Sequence, residues 1–128
     1  MNQIFLIIRL ALCLCLPSLL PANAMAKDLQ LESSAPDYTV FKGEWQRTDG
    51  NYRIKIKSIG ETNQVAAEYF NPKPIHISKA EVSTQQDLLR LDIKFQDSGY
   101  EGSSYKLYYY TEKDALAGFY YQAVLDRT

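Results

Sequence analysis

Strict alternation is the feature that leaves this chain the fewest folds. Leu89, Leu91, Ile93 and Phe95 are separated by Arg90, Asp92 and Lys94. An extended backbone puts those apolar groups on one face and the charges on the other. The same habit governs most of the chain. From Tyr38 onward, short runs rich in Tyr, Ile, Val and Phe alternate with turn residues every 8–12 positions, which is the pattern of an all-β protein. No stretch keeps a helical apolar stripe for three turns.

Phe41–Thr48 and Asn51–Ser58 flank Asp49-Gly50, a dipeptide suited to a two-residue primed turn with φ > 0 at both positions. That turn sets Arg47 opposite Tyr52, Trp45 opposite Ile54 and Glu44 opposite Lys55. One face then carries Phe41, Gly43, Trp45, Tyr52, Ile54 and Ile56, and the other Glu44, Gln46, Arg53, Lys55 and Lys57. Further strands are predicted at Gln64–Phe70, Ile75–Thr84, Leu88–Phe95, Ser103–Tyr110 and Leu116–Leu125, seven in all. Asn71-Pro72-Lys73-Pro74 is expected to interrupt pairing, since proline has no N–H for a ladder. Short connections favour an antiparallel up-and-down meander, curled into a small barrel that is closed or left with one open seam. An immunoglobulin-like sandwich, the alternative, lacks its long crossover and cysteine pair.

Gly43-x-Trp45 resembles the tripeptide that opens lipocalin and avidin-type barrels. Together with Asn51-Tyr52-x-Ile54, Ala67-x-Tyr69-Phe70-Asn71-Pro72-x-Pro74-Ile75, Asp97-x-Gly99-Tyr100-x-Gly102-x-x-Tyr105 and Asp114-x-Leu116-x-Gly118-x-Tyr120-x-Gln122-Ala123 it is similar to small exported bacterial proteins with such a barrel and no assigned activity. The resemblance implies a bend at the glycine and an indole plugging one end. Glu101 stands where proline is expected, and the sequence reaches Asp126-Arg127-Thr128 where such barrels add a closing strand. Leu116–Leu125, uncharged before Asp126, is therefore expected to bond directly to Phe41–Thr48. An open edge that dimerises is the alternative.

The N-terminus carries a different signal. Ile4–Leu20 is apolar apart from Arg9, Pro17 and Ser18, and ends at Pro21-Ala22-Asn23-Ala24, small residues suited to a signal peptidase. Residues 1–24 read as a removable signal peptide, 25–37 as a flexible lead-in and 38–128 as the barrel domain, in a periplasmic or secreted protein. Cleavage after Ala26 is the second choice. Removing 1–24 takes away Arg9 and both cysteines, so Lys plus Arg falls from 14 to 13 against 15 Asp plus Glu, and the formal charge moves from −1 to −2. That balance argues against nucleic acid as a partner. It leaves no thiolate chemistry and no stable membrane anchor.

His76, the only histidine, cannot build a multi-histidine metal site. Ser78 is too far along the strand to pair with it as a nucleophile. Glu68 and Asp92 read as surface charge, and Arg53, Lys55 and Lys57 as a solvated stripe answered by Glu44 and Glu68. No catalytic residue, metal ligand or cofactor is expected. All ten tyrosines lie beyond residue 24, and tyrosine suits ring-shaped ligands and protein contacts alike. The candidate ligand-binding residues are Trp45, Tyr69, Tyr105, Tyr109, Tyr120 and Gln122. The favoured function is non-enzymatic binding of a small apolar or aromatic ligand in the lumen. The alternative is a protein-binding module, such as an inhibitor of an extracytoplasmic enzyme. An interior pocket of roughly 300 Å³ or more points to the first, and a filled core with an exposed aromatic patch to the second.

Overall fold

The computed structural model describes residues 3–9 and 34–123. Its strands are β1 (Gln3–Arg9), β2 (Gly43–Arg47), β3 (Arg53–Ile59), β4 (Val65–Asn71), β5 (Lys73–Ile75), β6 (Ile77–Gln85), β7 (Leu88–Phe95), β8 (Ser104–Tyr110) and β9 (Ala115–Tyr121). They form one antiparallel sheet in the order β5-β4-β3-β2-β1-β9-β8-β7-β6. The sheet curls into a small barrel of the lipocalin/avidin-like kind, nearly closed. The seam lies between β4 and β6, where Gln64 bridges Glu81 and the Val82 N–H donates to the Asn63 carbonyl at 3.0 Å.

Register follows side-chain alternation. Trp45 stands opposite Ile54, Glu44 opposite Lys55, and the Arg47 N–H donates to the Tyr52 carbonyl at 3.0 Å. The inward set of β7, Leu91, Ile93 and Phe95, is 0–1% exposed. The outer charges pair across strands as expected: Lys57 with Glu68 at 2.5 Å and Lys55 with Glu44 at 3.9 Å. Asp92 takes Arg90 at 2.5 Å, so Glu68 and Asp92 form no carboxylate pair.

A 3-10 turn at Tyr38–Phe41 closes one end of the barrel. Asp37 caps it, accepting from the Thr39 N–H at 3.0 Å and the Thr39 hydroxyl at 2.5 Å. Phe41 is fully buried, and its carbonyl accepts from the Trp45 indole N–H at 2.8 Å. The Tyr38 hydroxyl meets the Thr84 hydroxyl on β6 at 3.0 Å. Gly43 carries the chain from this turn into β2 with φ +121°, a conformation that residues with a Cβ rarely adopt. That is the bend expected of the Gly-x-Trp glycine.

Three expectations are corrected. Asp49 and Gly50 are not among the positive-φ residues, so no primed turn forms there. The primed geometry instead belongs to Gln86 and Asp87, with φ 49° and 64°, between Gln85 and its partner Leu88. Asp49 does other work: its carboxylate accepts from Arg47 at 2.8 and 2.6 Å. Second, Pro72 and Pro74 do not stop pairing. The chain doubles back and β5 pairs with β4, Pro74 opposite Phe70 at the sheet edge, where a missing N–H is tolerated.

The third concerns closure. Residues 124–128 of the predicted last strand, and residues 25–33 of the lead-in, lie outside the described residues. But β9 does not bond directly to β2, because β1 lies between them, antiparallel to both. The reason is parity. Seven alternating strands end with the last running parallel to the first, so antiparallel closure requires an eighth direction. β5 and β6 together supply one of the seven, and β1 supplies the eighth.

Candidate functional site

The barrel has a shape that can hold a small ligand in its lumen, yet side chains fill most of that lumen. Ile7, Trp45, Ile54, Ile56, Leu107 and Leu116 are 0–2% exposed. Two open recesses, of about 490 Å³ beside the β8–β9 turn (Tyr109, Tyr110, Glu112, Lys113) and about 540 Å³ along the β4–β6 seam (Tyr69, Ile75, His76, Asp97), lie at the barrel's margins, and a smaller one lies at the end opposite the 3-10 turn. It measures about 200 Å³ and is lined by Arg47, Tyr52, Tyr69, Gly99, Tyr100, Tyr120 and Gln122.

Arg47 organises this mouth. It stands two residues after Trp45 on β2, so alternation turns it inward, and it is 9% exposed. A buried cation needs partners. Its Nε and Nη2 donate to the two Asp49 oxygens, and Nη1 donates to the Tyr105 hydroxyl at 2.9 Å. The guanidinium lies 4.2 Å from the centre of the Tyr52 ring. Burial works against its charge, but the Asp49 carboxylate and Tyr105 outweigh burial and hold its pKa above the ordinary range. The Tyr105 hydroxyl meets that of Tyr69 at 3.2 Å. Tyr105 stacks at a tilt on Tyr120, with centroids 4.8 Å apart. The Asn71 amide donates to the Tyr100 hydroxyl, holding the 96–103 loop over the opening.

Burial pushes the Tyr69 phenol far above its ordinary value, with Tyr105 adding to it. Burial also raises Tyr105, against the pull of Tyr69 and Arg47, and raises Tyr120 against Ser103. These tyrosines stay neutral near pH 7. The mouth therefore offers fixed hydroxyl dipoles and ring faces around one fixed cation.

The structure divides the six predicted site residues. Tyr69, Tyr120 and Gln122 line the mouth, and Tyr105 lies beneath them. Trp45 and Tyr109 do not belong to it. Their rings pack edge-on 6.2 Å apart, beside Phe41 at the closed end. The Tyr109 hydroxyl donates to Asp114 at 2.8 Å. Sequence reading missed Arg47, Tyr52 and Tyr100 as mouth residues. The period-2 count that turns Trp45 inward also turns Arg47 inward, and Tyr52 follows as its partner. Tyr100 is placed by loop geometry, with Gly99 at φ +80° and Gly102 at +75°, which alternation does not reach.

A second feature lies outside the barrel. Phe119 and Tyr121 on β9, Tyr110 on β8, Leu88 on β7 and Ile8 on β1 are 37–49% exposed. Lys106 and Ser104 stand opposite Phe119 and Tyr121, and β9 carries no charged residue. The outer faces of β3 and β4 carry Arg53, Lys55, Lys57 and Glu68, and those of β6 and β7 carry the Lys79–Glu81 and Arg90–Asp92 pairs, so the exposed aromatic residues are concentrated on β9 and the adjoining end of β8. A contiguous exposed apolar face marks contact with another surface.

His76 gives its backbone N–H to Asp97 at 2.8 Å, and the Ser78 hydroxyl donates to the Lys94 carbonyl at 3.2 Å, so the two do not act as a pair. No grouping of His, Cys, Asp or Glu able to hold a metal occurs among the described residues, and none of their helices could cross a membrane. No known protein family, curated protein or solved structure matches this chain.

Proposed function

We propose that this chain is an exported, non-enzymatic module that recognises another protein, with residues 1–24 acting as its signal peptide. The observation that carries this reading is the combination of a packed lumen with an aromatic outer face. The mouth recess of about 200 Å³ falls short of the roughly 300–1,000 Å³ of an ordinary small-molecule site, and the larger recesses of about 490 and 540 Å³ are open clefts at the surface, edged by Glu112 and Lys113 in one and Glu68 and Asp97 in the other. Phe119 and Tyr121 supply the large, low-entropy contact area on which protein interfaces rely. A near-neutral barrel with no basic excess gives nucleic acid no foothold.

A second reading is favoured by Arg47 and its ring of tyrosines. The mouth fits one flat ring carrying a hydrogen-bond acceptor, either an aromatic or a saccharide-sized molecule. Native mass spectrometry of the exported protein separates the two. The expected result is a stoichiometric protein complex that disappears in the Phe119→Ser/Tyr121→Ser double variant. A retained small molecule, unaffected by that pair and lost in Tyr120→Ala, would replace the first reading with the second.

A further inference from the structure

We propose that the position held by Gln3–Arg9 is a strand-acceptor site. Once the leader is cut away, the barrel takes an extended segment of a partner protein between β2 and β9, antiparallel to both. That segment carries an apolar residue at the position of Ile7 and an arginine or lysine two residues later, at its C-terminal end. The proposal rests on the reading of the chain as an exported protein-binding module, and it names the chemistry of the partner.

Geometry makes the site. With β1 absent, β2 and β9 lie two strand spacings apart, about 9–10 Å, and run parallel. They cannot restore the antiparallel ladder by zipping together. Each would present a full row of unpaired N–H and C=O groups, the template that a foreign strand completes. Ile7, opposite Leu116 on one side and Arg47 on the other, is 0% exposed. The strand thus contributes to the core as well as to the ladder. Gly118, which has no side chain, stands opposite position 5 of the register.

The end of the slot is built for a cation. The Arg9 guanidinium donates to the Val40 carbonyl at 3.1 Å and to the Lys42 carbonyl. It lies 5.1 Å from the centre of the Trp45 ring, and its Nη1 is 3.7 Å from Asp114. The 3-10 turn, the residue after it, β2 and the turn before β9 each contribute one of these groups. They form a guanidinium clamp whatever chain supplies the arginine. The aromatic face of β9 lies alongside, ready to extend the contact.

Tyr38, three residues before the buried Phe41 of the 3-10 turn, is held by its hydroxyl to Thr84 on β6, four strands from β1 in the sheet order. Among the described residues, the strands of a second copy all have places in their own meander.

The test uses the full chain with a specific protease site inserted after Ala24, folded and then cut. A fluorescein-labelled synthetic peptide of residues 1–10 is added. The leader fragment is expected to exchange one for one with the peptide, and the Arg9→Glu peptide to bind about tenfold or more weakly. If the fragment leaves and the β2 and β9 amides are protected with no peptide bound, the barrel has resealed and the proposal is overturned. Protection that rises with protein concentration in a dimer would overturn it in favour of a second copy. Terminal sequencing keeps the two readings apart: an exported protein beginning at Met1 would refute signal removal itself, whereas resealing refutes only the acceptor site.

Discussion

Trp45→Ala is the sharpest perturbation of the barrel's closed end. The indole is 0% exposed, packs edge-on to Tyr109 and donates its N–H to the Phe41 carbonyl at 2.8 Å. Removing a buried Trp or Phe costs about 3–5 kcal/mol, and an orphaned carbonyl pushes the value to the top of that range. A domain of this size has about 5–15 kcal/mol to lose. At a urea slope of about 1.5 kcal/mol/M, the midpoint should fall by about 3 M. Circular dichroism is the readout, because the variant removes the only tryptophan. Trp45→Phe keeps a ring and should lose about 1–2 kcal/mol, mostly the hydrogen bond and part of the volume. An unchanged midpoint in Trp45→Ala would mean that the indole does not plug the barrel, and the resemblance built on Gly43-x-Trp45 would fall with it.

Gly118→Ala should destabilise by about 3 kcal/mol or more, because a Cβ there would meet the Lys106 carbonyl oxygen at 2.0 Å and the Leu107 Cα at 3.0 Å; thermal melts show it. Asp49→Ala should cost more than an exposed ion pair's 0–1 kcal/mol, about 1–3 kcal/mol, since it strips a carboxylate from a nearly buried guanidinium. Arg47→Met should be milder than Asp49→Ala, because it removes the charge along with its need for a partner; the reverse order in urea melts would place Arg47 in solvent. Hydrogen bonds hold several carboxyls below their ordinary range: Thr39 at Asp37, Arg47 at Asp49, Lys57 at Glu68 and the His76 N–H at Asp97. The folded state then binds fewer protons than the unfolded one, so stability should be full above about pH 5 and decline as pH falls below about 4. Tyr69 and Tyr105 act at the other extreme. Their raised values keep them protonated inside while unfolded tyrosines ionise, so stability should fall again above about pH 10; urea midpoints across pH check both limbs.

Local chemistry made most of the barrel legible. Where apolar and charged residues alternate without a break, as in Leu89–Phe95, face and register follow from the backbone period alone. The β2–β3 register followed from the same rule, even though the turn expected to enforce it formed elsewhere. Asp49 was taken by the needs of Arg47, and Gln86-Asp87, a less suggestive pair, adopted the left-handed geometry because β6 and β7 leave only two residues between them. The mouth was half legible for a related reason. Tyr120 and Gln122 declare themselves by alternation, whereas Tyr100 reaches the opening only through a glycine-bounded loop whose path depends on tertiary contacts.

Closure was hidden because it is a property of the whole count, not of any segment. Most of the seven strands lie close to their predicted bounds, although Phe41 falls in the 3-10 turn, Ile75 is split from Ile77–Gln85 and β9 ends at Tyr121, and only their number shows that β9 and β2 must run the same way. The eighth direction comes from Gln3–Arg9, whose residues suit two environments. As an apolar run with one arginine they have the composition of a leader's hydrophobic stretch. As an extended segment they put Ile7 in the core and Arg9 against Trp45, Val40 and Lys42. Composition does not choose between these fates, because hydrophobicity drives entry to a membrane and to a protein core by the same removal of apolar surface from water. What separates them is the partner present when the segment leaves water. A barrel with an odd number of strands is such a partner, and it holds the segment by a ladder on each side and a clamp at its end.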